Sequence, residues 1–132
     1  MKYWGFTTMA KEFKRIERLV AKYLGGDRDW ADLHDCSVTG NNEITWVIEV
    51  KSEKWVSGPG ALWSLLENAK NQLLSAMERE GIHNDDKYAP LVVYWPTYCP
   101  HDGSALAYYC INDTWVVTTL QDFKKQFIDG GE

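Results

Sequence analysis

Residues 44–51, Ile-Thr-Trp-Val-Ile-Glu-Val-Lys, are the part of the sequence that most constrains the fold. Large apolar side chains recur there at every second position, and a β-strand directs successive side chains to opposite faces. One face of such a strand is wholly apolar, whereas the other carries Glu49 and Lys51 side by side. The period predicts a strand over residues 44–51 that ends on this charged pair.

The tight turn expected at Gly40-Asn41-Asn42 predicts that this strand pairs with an earlier one over residues 33–38. If Asn41 and Asn42 form a two-residue turn, Asp32 lies opposite Lys51. A one-residue slip would instead put Asp35 on the face of the charged pair, but it would also move Leu33 to the polar side. Burial of Leu33 therefore favours Asp32 over Asp35 as the second carboxylate on this face.

Three helices are expected around the strands. Residues 8–24 carry apolar side chains at helical spacing and are followed by Gly25-Gly26. A second helix is expected over residues 61–80, after the break Ser57-Gly58-Pro59-Gly60, and a third begins at Thr119. Further strands are expected over residues 91–95, 105–111 and 115–118. The order αββαβββα predicts one domain over residues 1–132, an α/β sandwich with a mixed central sheet.

Composition narrows the class of protein. The chain has 132 residues, 45% of them hydrophobic and 25% charged, which is typical of one globular domain. No apolar run approaches the roughly 20 residues of a membrane helix, and no signal segment begins the chain. A cytoplasmic protein without a membrane partner is therefore expected. Three cysteines without a CxxC pair indicate neither a disulfide framework nor a zinc site.

Charge is unevenly distributed along the chain. The net charge of −5 argues against a simple polyanion binder, yet six of the fourteen basic residues lie between Lys11 and Arg28. Five of those six lie nearly opposite the apolar stripe of the first helix. Alone, this pattern is typical of a solvated outer face. If the chain is a nuclease, the same residues form a ridge that contacts phosphates.

A Glu-x-Lys sequence at the end of an apolar strand suits phosphodiester hydrolysis. That reaction uses a divalent cation held by hard oxygen ligands, which polarises the phosphate and lowers the pKa of the attacking water. At least two carboxylates are needed, and a backbone carbonyl can supply a third oxygen. A lysine beside them orients the water or neutralises the charge that builds on the phosphate in the transition state.

The ordered set of a helix with Glu17, then Asp32, then Glu49-Val50-Lys51 resembles the PD-(D/E)xK nuclease superfamily. Residues 16–26, 31–34 and 46–52 are most similar to small phage-type members, which are similar to archaeal Holliday junction resolvases. The resemblance runs from about residue 10 to the strand at Leu91. It implies a restriction-endonuclease-like core, cleavage of branched DNA with Mg²⁺ or Mn²⁺, and a homodimer in a phage or prokaryotic host.

The resemblance also implies roles for individual residues. Asp32, Glu49 and the Val50 carbonyl would bind the metal, and Lys51 would position the water. Glu17 is the helix-borne acid selected by the order of residues. Glu12 stays an alternative to it, because it lies nearer the middle of the apolar stripe.

Four basic residues are expected at the DNA backbone: Lys14, Arg18, Arg28 and Lys54. On the second helix, Lys70 and Gln72 are candidates to face the site. Ala31 stands where the family pattern has proline, and the segment between Gly26 and Asp32 is short. Two other functions stay open: a restriction-like or repair nuclease, and a non-catalytic DNA-binding module with the same fold.

Overall fold

The structure is a computed structural model, and it describes residues 15–25, 27–28, 36–40, 43–52, 58–85, 87–96 and 105–129. Helix α1 covers residues 15–24 of this part, and the other helices are α2 (Pro59–Glu80) and α3 (Leu120–Phe127). The strands are β1 (Asp27–Arg28), β2 (Cys36–Thr39), β3 (Thr45–Lys51), β4 (Tyr88–Tyr94), β5 (Leu106–Ile111) and β6 (Thr114–Thr119).

The strands form one sheet in chain order, β1 to β6, in which β1 contributes only two residues. Strands β3 and β4 are parallel and are connected by α2, whereas all other neighbours are antiparallel. The sheet is therefore mixed, as predicted. The predicted order of elements is also observed, with β1 added at one edge. Strand β3 lies inside the sheet: β4 pairs along its whole length, and β2 pairs with its residues 45–48.

Helices cover both faces of the sheet. The apolar face of β3, with Trp46, Ile48 and Val50, packs in one core with residues of α1 and α3. The opposite face contributes Val47 to a second core, which it shares with α2. The chain is a single α/β domain with the sheet between two helical layers. No helix in the described ranges is long and apolar enough to cross a membrane.

The predicted register of the β2–β3 hairpin is wrong by one residue. Thr39 pairs with Thr45, and the Gly40 N–H donates to the Ile44 carbonyl at 2.9 Å. Gly40 is thus opposite Ile44, and three residues rather than two lie between these positions. Glu43, the last of them, has a φ of 63°, the left-handed conformation that commonly closes three-residue hairpin loops.

Two prolines lie inside elements that the sequence predicted to begin after them. Pro59 and Gly60 are part of the first turn of α2, where proline is favoured because its missing N–H has no helical partner. Pro90 lies within β4, which begins at Tyr88 rather than Leu91. Its backbone nitrogen lies on the side of β4 that faces β5. The β4–β5 ladder begins only at Leu91, so the missing N–H of Pro90 removes no ladder hydrogen bond.

The carboxyl-terminal third follows the predicted elements closely. Asn112 and Asp113 have φ values of 52° and 60° and form the two-residue turn between β5 and β6. Thr119 precedes α3, and its hydroxyl accepts a hydrogen bond from the Asp122 N–H at 3.1 Å. This is an N-cap, which fixes the start of α3.

Candidate functional site

Glu49 and Lys51 form an ion pair at the carboxyl end of β3. The Lys51 Nζ lies 3.6 Å from the Glu49 Oε2, and the two side chains are 25% and 16% exposed, respectively. Both project from the face of β3 that α2 covers, as the alternation of the strand predicted. The pair is thus half-buried and still open to solvent.

Helix α2 supplies a third polar group. The Lys51 Nζ donates a hydrogen bond to the Gln72 Oε1 at 3.0 Å. Gln72 was one of two residues of the second helix predicted to face this site, and the structure brings it to Lys51. The ammonium group is consequently held between a carboxylate on its own strand and an amide on the helix above.

The backbone beneath this group is fixed by β4. Glu49 pairs with Val92 and Lys51 with Tyr94 in the parallel register. One residue further on, the Trp95 N–H donates to the Lys51 carbonyl at 2.9 Å. Strand pairing extends to the last residue of β3, so the charged pair is presented by rigid backbone rather than by a loop.

Lys70, the other predicted residue of α2, lies elsewhere. Its ammonium group is 2.9 Å from the Glu67 Oε2 and 5.1 Å from the centre of the Trp115 ring. Residues two positions apart on a helix are separated by about 200°, so Lys70 and Gln72 flank opposite sides of α2. Lys70 therefore belongs to the side of the helix above β5 and β6, away from Lys51.

The Lys70 side of α2 contains a polar and aromatic group that sequence reasoning missed. The Tyr108 hydroxyl donates a 2.6 Å hydrogen bond to the Glu67 Oε1, and this bond, with help from Lys70, lowers the Glu67 pKa. Burial raises the pKa of Tyr108 above its ordinary value. Glu67 and Tyr108 are 41 residues apart, and no local pattern signals such a contact.

Glu17 is a buried charged side chain, only 6% exposed. It lies on α1, whose apolar residues Ile16 and Val20 pack against the face of β3 opposite to Glu49. Glu17 and Glu49 therefore belong to different layers, and their carboxylates can approach each other only around the end or edge of the sheet. Arg18, on the same helix, is exposed.

Several predicted residues lie outside the described part of the chain. These are Glu12, Lys14, Asp32, Asp35 and Lys54, and of Arg28 the backbone alone is described. Asp32 had been favoured over Asp35 through the predicted hairpin register, and that register is not the one observed. By the alternation argument, a slip of one residue favours Asp35 over Asp32 on the face of the charged pair, so Asp35 becomes the stronger candidate for the second carboxylate and Asp32 the alternative.

The described residues supply part of a metal site. Within the described ranges, no group of three or more His, Cys, Asp or Glu side chains could hold a metal ion. Glu49 supplies one hard carboxylate, and the Val50 carbonyl is adjacent to it in the chain. This donor chemistry suits Mg²⁺ or Mn²⁺, but a complete site needs a second carboxylate from another segment.

Comparison with known proteins identifies no relative of this chain. No protein-family model matches the chain, and no curated protein or solved structure is significantly similar to it.

Proposed function

We propose that this protein is a metal-dependent DNA endonuclease that hydrolyses phosphodiester bonds, with Glu49 and Lys51 in its active site. The observation that carries the proposal is the half-buried Glu49–Lys51 pair at the end of an internal strand, with Lys51 hydrogen-bonded to Gln72. A purely structural surface pair contributes little to stability. The Glu49–Lys51 pair instead lies on rigid backbone and is supported by the Gln72 amide, which favours a chemical role.

Each side chain has a distinct task in this proposal. Glu49, the Val50 carbonyl and one of Asp32 or Asp35 would hold Mg²⁺ or Mn²⁺. When bound, the ion polarises the phosphate and lowers the pKa of the attacking water. Lys51 places its positive charge where negative charge develops on the phosphate, and Gln72 restricts the ammonium group to that position. Glu17 is the proposed helix-borne acid.

Branched DNA, such as a Holliday junction, is the proposed substrate, and its support is the resemblance of residues 16–26, 31–34 and 46–52 to junction-resolving nucleases. The exposed Arg15, Arg18 and Lys22 of α1 give a basic surface suited to phosphates. Lys14, Arg28 and Lys54 are further proposed contacts. Paired incisions across a junction need two active sites, so the proposed substrate calls for a homodimer.

The test is cleavage of a synthetic four-way junction and of a linear duplex of the same sequence, with Mg²⁺ or Mn²⁺. We expect metal-dependent cutting of the junction, reduced by roughly 10²-fold or more in Lys51→Ala. Lys70→Ala is the matched control, because it removes a lysine that is ion-paired to a glutamate on the other side of α2. That variant should cleave like the unmodified protein.

The possible outcomes separate the alternative functions. Equal cutting of junction and duplex would leave a nuclease of the restriction or repair type and remove the resolvase assignment. If folded protein binds DNA but cuts none with either metal, it is a binding module and the proposal is wrong. Equal activity of Lys51→Ala and Lys70→Ala would show that the Glu49–Lys51 pair is not the active site.

The two aspartates are distinguished by the same assay. Asp32→Asn and Asp35→Asn each remove one negative charge while keeping the side-chain volume. Only the variant of the metal-binding aspartate should lose cleavage, and it should lose it as completely as Lys51→Ala. Full activity of both variants would exclude both residues as the second carboxylate.

A further inference from the structure

The two ends of the sheet differ in their chemistry. Strand β1, at one end of the described sheet, consists of Asp27 and Arg28, and a short edge of charged residue types discourages pairing with another chain. Strand β6, at the other end, has the sequence Thr-Trp-Val-Val-Thr-Thr, without charge or proline. Its six pairs with β5 run without a bulge. Within the part of the chain that the structure describes, strand β6 therefore has neither the charged residues, the proline nor the bulge that protect many edge strands.

The hydrogen-bonding direction along β6 follows from its junction with α3. The Leu120 N–H donates to the Ala105 carbonyl at 2.9 Å, so even-numbered residues direct their backbone groups toward β5. Odd-numbered residues alternate with them in an antiparallel ladder and point outward. The backbone N–H and C=O groups of Trp115 and Val117 consequently face away from the described sheet.

Apolar side chains accompany these outward backbone groups. Val117 is 42% exposed and pairs with Tyr108 of β5, while Trp63 of α2 is 51% exposed and its ring lies 5.5 Å from the Tyr108 ring. Trp115 lies 4.9 Å from the same ring. Trp63, Trp115 and Val117 thus surround one tyrosine on one face, and we refer to these three residues as the edge strip.

We infer that a second copy of this chain binds at the edge strip, with the two β6 strands paired antiparallel about a two-fold axis. The described sheet offers one long uncharged edge, so association through it closes as a dimer instead of continuing into a fibre. Two chains of net charge −5 repel each other, and an uncharged strand is where they can approach without opposed like charges. This inference rests on the sheet edge alone and does not depend on nuclease activity.

A two-fold axis beside Val116 gives a complementary register. Trp115 of each copy then lies opposite Val117 of the other, and their outward backbone groups can form four hydrogen bonds between the chains. Aromatic residues pair favourably with β-branched residues across strands. On the other face Thr114 lies opposite Thr118. The exposed Val117 is covered in both copies.

The interface is small compared with the roughly 1,600 Å² of a standard protein–protein interface. A dimer that dissociates reversibly, on the order of micromolar concentration, is therefore expected.

Sedimentation velocity of the full chain, from about 1 to 200 µM, tests the inference. Val117→Lys removes the aromatic–β-branched pair with Trp115 and sets the two new ammonium groups diagonally across the two-fold axis, so it should raise the dimer dissociation constant at least about tenfold. Tyr88→Lys is the control, because it replaces another exposed strand residue, 38% accessible, on β4 rather than β6. A monomer at all concentrations, or equal dimerisation of both variants, would overturn the inference.

Hydrogen exchange identifies the strand involved. The amides of Trp115 and Val117 should become protected as concentration rises, whereas the Val116 amide, directed toward β5, should be protected throughout. Concentration-independent protection of Trp115 and Val117 in a monomer would show that another segment of the same chain covers the edge. In that case the proposed dimer surface would be wrong.

Discussion

Replacing Gly40 with alanine tests how the β2–β3 hairpin packs on α3. A Cβ at Gly40 would collide with the backbone carbonyl oxygen of Phe127 and would lie 3.2 Å from the Trp46 Nε1. The φ of Gly40 is not in the left-handed region, so alanine meets a steric obstacle and no conformational one. The obstacle is backbone, which cannot rotate away as a side chain can.

Overpacking of this kind costs about 1–3 kcal/mol, and the rigid neighbour places Gly40→Ala in the upper half of that range. A loss of about 2 kcal/mol corresponds to a fall of roughly 8 °C in the melting temperature of a domain of this size. Thermal and urea unfolding, followed by circular dichroism, would measure both quantities.

Gly60→Ala is the matched control for this substitution. A Cβ at Gly60 meets no atom within 4 Å, and the residue lies in the first turn of α2. That variant should be unchanged or up to about 1 kcal/mol more stable. If Gly40→Ala proves as stable as Gly60→Ala, the hairpin does not approach α3 as described.

Two further predictions concern the hydrogen bonds of α3 and α2. Thr119→Ala removes the cap on the Asp122 N–H and should cost about 1 kcal/mol of unfolding free energy, whereas Thr119→Ser should keep most of it; equal losses would contradict the cap. Tyr108→Phe should raise the Glu67 pKa toward its ordinary value, because that hydrogen bond is the largest cause of its lowering. In the unmodified protein the Glu67 contribution is present above its unfolded-state pKa and is lost as pH falls through the folded-state value. NMR titration of the Glu67 carboxyl would show an unchanged pKa if this assignment is wrong.

The alternation in β3 was sufficient to predict the placement of Glu49 and Lys51. A strand with a period of two must put Glu49 and Lys51 on one face and the apolar Trp46, Ile48 and Val50 on the other. The pairing of that strand was harder to predict. Gly40-Asn41-Asn42-Glu43 suggests a two-residue turn, but Glu43 adopts the left-handed conformation that Asn and Gly usually take.

The starts of α2 and β4 were missed, α2 because Pro59 was counted with the preceding break, and β4 because the apolar run that predicted it begins only at Leu91. Pro59 is compatible with a first helical turn, and Pro90 lies where β4 has no ladder bond to β5. The placement of Pro90 depends on the neighbouring strand β5 rather than on local sequence. The same is true of Gln72 and Lys70, since the path of α2 across the sheet decides which of them meets Lys51.

Mn²⁺ binding, measured by electron paramagnetic resonance alongside junction cleavage, tests the proposed active site most directly. Glu49→Gln should lose both metal binding and cleavage, because the carboxylate is the proposed ligand. Lys51→Ala should lose cleavage while still binding Mn²⁺, because the ammonium group acts on the phosphate and water. If Glu49→Gln binds Mn²⁺ and cleaves the junction like the unmodified protein, Glu49 is not a metal ligand and the proposed nuclease site is wrong.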